Sequence, residues 1–196
     1  MTRTTRHLMV GALMTTLAGG GRAAVAAGVD TPAMPRVRSH HPGIASLIER
    51  AAERSKTFRG LVEAINTSNG IVYVEEGQCG RHVVKSCVAA VTQTATNRIL
   101  VVKVDIRNAD GELMGLIGHE LRHAIEILGE PNVVDAVSMY FLYQRIGRLG
   151  THTAFETQAA VQAGIAVRAE VSKYRPPAKV DARRKGQCLR DCTGGS

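Results

Sequence analysis

The feature that most constrains this chain is His119-Glu120-Leu121-Arg122-His123, set inside a periodic apolar segment. At 3.6 residues per turn, Leu113, Ile117, Leu121, Ala124, Ile125 and Leu128 make one apolar stripe. His119 and His123 fall nearly opposite that stripe, four residues apart and one above the other. A helix buried along its stripe then presents both imidazoles to whatever covers its other face. That is the arrangement a metal site between two layers requires. Both ring nitrogens can reach one zinc ion, and Glu120 stands beside them to take a proton from water at the metal. The competing reading is two surface histidines on a solvated face.

The flanking pattern predicts an α+β fold. Ile44 to Asn66 is amphipathic and reads as one helix broken near Thr57, or as two short ones. Ser68-Asn69-Gly70 is a turn, after which Ile71 to Val74, Cys87 to Val91 and Arg98 to Ile106 read as strands. Residues 94–97 join the last two as a hairpin. Asp110 is a good N-cap for the histidine helix and Gly129 ends it. A second helix is expected over Val133 to Ile146 and a third from about Ala154 to Tyr174, stopped by Pro176-Pro177. The expectation is a small three-stranded antiparallel sheet packed on the histidine helix and the helices that follow.

Through His119, Glu120 and His123 the chain resembles the zincin metallopeptidases. It departs from their usual pattern at Arg122, where an uncharged residue is more common. No Gly and third His follow at the metzincin spacing, and there is no Met-turn candidate, so the gluzincin branch is the closer likeness. The resemblance implies a zinc hydrolase acting on a peptide or protein substrate. It also implies that the strand before the metal helix, Arg98 to Ile106, could pair with extended substrate, although a plain sheet strand is the equal alternative.

A catalytic zinc takes three protein ligands and leaves one position open. Gluzincins supply the third from a Glu on a later helix, and Glu156 is the candidate, with Ala159, Ala160 and Ala163 allowing close backbone approach. The family's acidic residue four positions after that Glu is absent, since Ala160 stands there. Thr153-Ala154-Phe155-Glu156 also matches a capping box, in which Glu156 would bond back to Thr153. Glu126 shares the histidine face but is too far along for joint ligation, so a supporting or solvated role is expected. Asp135 reads as a first-turn acid. His152 and Tyr143 are candidates to steady an oxyanion.

Arg3 and Arg6, the apolar run Leu8 to Ala18 and Ala24-Val25-Ala26 read as a signal peptide over 1–26, with a secreted or periplasmic destination. Arg22 is unusual so near a cleavage site and leaves an uncleaved membrane anchor open. Residues 27–43, with three prolines, read as a linker, and 44–176 as the catalytic domain. Four cysteines in an exported chain predict two disulfides, and local pairing of Cys79 with Cys87 and of Cys188 with Cys192 is the simplest connectivity.

The net charge of +8 is concentrated at the ends. Arg3, Arg6 and Arg22 precede any acid, and Lys173, Arg175, Lys179, Arg183, Arg184, Lys185 and Arg190 face only Asp181 and Asp191. The body between is about neutral, which removes the main support for nucleic acid as a partner. The basic tail, 177–196, could touch an anionic membrane or cell-wall surface. Two other functions stay open: an envelope-associated metal-binding module held by that tail, and a zinc amidase acting on cell-wall fragments.

Overall fold

The computed structural model describes residues 34–80, 84–149 and 155–176. The expected signal peptide and basic tail, His152, Cys188 and Cys192 lie outside the described residues.

The fold is α+β. Strand β1 (Val37–Arg38) leads into helices α1 (Pro42–Arg54) and α2 (Lys56–Asn66), then β2 (Gly70–Glu76), β3 (Ser86–Gln93) and β4 (Arg98–Val104). Helix α3 (Asp110–Leu128) carries the histidines. After it come α4 (Ala136–Ile146), the two-residue strands β5 (Arg148–Leu149) and β6 (Phe155–Glu156), and α5 (Gln158–Lys173). None of the described helices is long and apolar enough to cross a membrane.

The sheet departs from expectation. It has four strands in the order β1-β2-β4-β3, and only the β3/β4 hairpin is antiparallel; β1 with β2 and β2 with β4 are parallel. The reason lies in β4, whose Leu100, Val102 and Val104 are completely buried. A strand this apolar belongs in an interior slot, so it slides between β2 and β3 and pairs with both. β3 carries Thr92 and Gln93, both exposed, and takes the edge. β4 therefore has no free edge for an extended peptide; the edge beside α3 belongs to β3. The fourth strand comes from the presumed linker, where Val37 is buried and pairs with Val72.

Helix α3 runs through the middle, touching β2, β3 and β4 on one side and α1, α2 and α5 on others. Leu113, Ile117, Leu121 and Ala124 are buried as the stripe demands, while Met114 and Ile127 are also fully buried. Each of the Leu, Ile and Met side chains contributes about 1.5–3 kcal/mol relative to exposure. Gly115 and Gly118 let α5 approach on a further face: a Cβ at Gly118 would lie 2.8 Å from Val167 Cγ2, and one at Gly115 would overlap Arg168 Cγ.

The helix ends differ from the sequence reading in detail. Ala109, not Asp110, is the N-cap of α3, and Asp110 pairs with Arg50 instead. Asp135 caps α4 in a reciprocal box with Ser138, so that helix starts three residues later than expected. Ser55 makes the break between α1 and α2, capping α2 through a 3.0 Å bond from Phe58 N. Thr157 caps α5, accepting from Ala160 N at 3.1 Å. Phe155 and Glu156 consequently stand before the helix, as a strand paired with Arg148–Leu149.

Candidate metal centre

Helical spacing alone brings His119 and His123 together: their rings meet edge to face with centroids 4.8 Å apart. Glu156 arrives from β6, not from a helix as expected, because the cap at Thr157 holds α5 one residue short of it. Its Oε2 lies 3.0 Å from His119 Nε2 and 3.7 Å from His123 Nε2. With Thr157 as the N-cap, the alternative of Glu156 as a capping-box acid does not hold.

One ligand atom from each of the three residues lies within 4.8 Å of the other two, and together they could hold a metal ion. Ligands about 2.0–2.2 Å from a tetrahedral cation stand roughly 3.3–3.6 Å apart, and the two Glu156 distances bracket that spacing. Glu156 Oε2 is buried yet has no properly directed hydrogen bond. A buried carboxylate oxygen aimed between two imidazole nitrogens, with its lone pairs unclaimed, fits a cation. The donor set also fits in charge, because the Glu126 and Glu156 carboxylates stand against the two rings.

Burial pushes His123 down, but Glu126, Glu156 and Glu120 outweigh it and raise it to about 9. Burial likewise works against ionised Glu156, and the two imidazoles override it, holding the carboxyl at about 2. Glu120 behaves differently. Fully enclosed, it is raised above the usual carboxylate range, burial exceeding the pull of His123, His119 and Ser86.

Glu120 sits beside the triad, its Oε1 3.9 Å from His119 Nε2. Ser86 Oγ donates to that same oxygen at 2.7 Å. Glu126 Oε2 meets His123 Nδ1 at 2.9 Å, and Thr157 Oγ1 donates to Glu126 Oε1 at 2.7 Å. Glu126 thus supports His123 and does not ligate, as its position on the helix face implied. Tyr143 packs edge-on against His123, centroids 5.2 Å apart, and its hydroxyl donates to the His123 carbonyl at 3.2 Å. The proton offered as an oxyanion donor is engaged there. The roles of Ser86 and Thr157 escaped the sequence reading, since nothing in their neighbourhoods marks them.

A cavity of about 160 Å3 opens in front of the triad, between β3 and α4. Val84, Val88, Met139 and Phe155 give it apolar walls, while His119, Glu120, His123 and Glu156 form its chemical end. A second hollow lies on the α5 side and shares His119 and Glu156 with the first. Cys79 and Cys87 form the expected disulfide, tying the β2–β3 connection to the strand that lines the cleft.

No protein-family model, characterised protein or solved structure matches the chain.

Proposed function

We propose that this protein is an exported zinc-dependent hydrolase of peptide bonds, resembling the gluzincin branch of the zincins. The observation that carries the reading is the convergence of His119, His123 and the unpartnered Glu156 oxygen beside a buried glutamate. Two imidazoles and one carboxylate are a zinc donor set that leaves a position free for water and substrate. A cation held there supplies Lewis-acid polarisation of a carbonyl and makes water more acidic.

The chain's own residues do the rest. Ser86 donates to Oε1 of Glu120, which orients that carboxylate to take a proton from the attacking water. The same carboxyl passes that proton to the leaving amine nitrogen, and the enclosure that raises its pKa favours holding it between the two steps. The apolar walls offer a seat for a substrate side chain, and the outer edge of β3 offers backbone groups for an extended peptide. The Cys79–Cys87 disulfide agrees with an oxidising compartment.

The test is Glu120→Gln in full-length protein loaded with zinc and incubated with a mixed peptide pool. The variant should retain one zinc per chain, measured by elemental analysis, while hydrolysis falls at least a thousandfold. Cleavage at the parent rate, or parent cleavage untouched by chelator, would end this proposal.

A further inference from the structure

Glu126 and Thr157 lie behind the metal triad and belong to the two elements that must be brought together to build it. Glu126 sits on α3, one turn beyond His123; Thr157 follows Glu156 directly. The ligand-bearing strand and the ligand-bearing helix are therefore bonded to one another immediately next to the ligands. Glu126 Oε2 stands 2.9 Å from His123 Nδ1; a carboxylate there takes the Nδ1 proton and reserves Nε2, the nitrogen facing Glu156, for a cation. Glu126 is filled on its second oxygen by the Thr157 hydroxyl. That hydroxyl in turn accepts from Ala160 N, which ties its orientation to the start of α5.

We propose that Thr157 and Glu126 act as a latch that sets the metal site. The pair fixes the tautomer and angle of His123 and, through the peptide joining residues 156 and 157, the position of the Glu156 carboxylate. Both are positioning residues, neither touching the cation. The latch takes the place of the acid that the resemblance would put at position 160, where an alanine stands. The inference rests on the metal centre proposed above.

A double-mutant cycle on zinc affinity tests it, using full-length protein and a chromophoric chelator as competitor, with no activity measurement needed. Glu126→Gln should weaken zinc binding about 10–100-fold, and Thr157→Val about tenfold, with Thr157→Ser restoring the parent value. Thr157→Val also loses the cap of α5, so the decisive comparison is its effect in the Glu126→Gln background. A latch predicts that the second substitution then costs less than about twofold, whereas a cap acting independently costs the same in both backgrounds. Equal costs, or a parent-like affinity in Glu126→Gln, would overturn the latch while leaving the metal site intact. Should Thr157→Val not fold, Glu126→Gln and Thr157→Ser decide by themselves. A parent chain that binds no zinc would instead remove the site and the latch together.

Discussion

Ser86 Oγ donates a 2.7 Å hydrogen bond to Glu120 Oε1, joining the edge strand to the helix that carries the histidines. Both residues are buried. The bond holds the carboxylate in one orientation beside the triad. The neighbouring Cys87 is covalently tied to Cys79, which keeps this part of β3 in place.

Ser86→Ala should therefore leave zinc content and KM unchanged while kcat falls about tenfold, the worth of roughly 1.4 kcal/mol of orientation. Ser86→Thr should recover most of the loss. Steady-state kinetics on any cleaved peptide read this directly. A rise in KM with kcat preserved would place Ser86 in substrate binding instead.

Arg98 is 3 % exposed although it starts a strand. Its guanidinium donates to the carbonyls of Ile127, Leu128, Glu130 and Val133, and to Asn69 Oδ1. The carbonyls belong to the end of α3 and the turn after it, where the regular helical donors run out. Arg98→Met should cost about 2–3 kcal/mol, because Leu128 and Val133 lose the donor to their carbonyls, while those of Ile127 and Glu130 keep Glu130 N and Val133 N. Arg98→Lys should recover only part, since an ammonium cannot span the same fork. Urea unfolding of the metal-free protein provides the measurement, and a loss under about 1 kcal/mol would contradict the capping role.

How much of this was legible in the sequence follows from the range of the interactions. The histidine helix, its break-point glycine and the Cys79–Cys87 bridge are set by neighbours in the chain, and their spacing could be read. The strand order could not, because the preference of β4 for an interior slot becomes visible only when β2 and β3 compete for its two edges. Glu156 was named through the resemblance and placed on a helix, since the cap at Thr157 and the capping-box pattern at Thr153 look alike locally. Arg98 and Ser86 were invisible for the same reason in sharper form: a buried polar side chain is explained only by partners about thirty residues away.

Gly115 marks the tightest approach of α3 and α5. A Cβ there would overlap Arg168 Cγ and stand 3.1 Å from the Gly164 carbonyl. Alanine gains roughly 1 kcal/mol of helix propensity, but forcing two packed helices apart costs about 1–3 kcal/mol. Gly115→Ala should thus be destabilising by about 1 kcal/mol. Because α5 begins one residue after Thr157, the shift should also weaken zinc binding. Thermal melts with and without zinc separate the two effects, and a variant more stable than its parent would show that the helices separate freely.

Glu170 links α5 to the corner between α1 and α2. Its carboxylate accepts from Ser55 Oγ at 2.6 Å, Thr57 N at 2.9 Å and Thr57 Oγ1 at 2.8 Å. Burial works against the charged form, yet those three donors prevail and its pKa lies below the ordinary 4.5. A carboxyl depressed in the folded chain binds its proton more readily when unfolded. Its stabilising contribution is therefore complete above pH 4.5 and is lost as pH falls from there through the depressed folded value. Glu170→Gln removes that contribution at neutral pH, where the amide puts a donor against donors, and should flatten the acid side of the stability curve. The check is denaturant unfolding of parent and variant from pH 3 to 7, in the absence of metal. The two curves should lie furthest apart near neutrality and converge toward the acid end; a constant gap across the range would mean that ionisation of Glu170 contributes nothing to holding this corner.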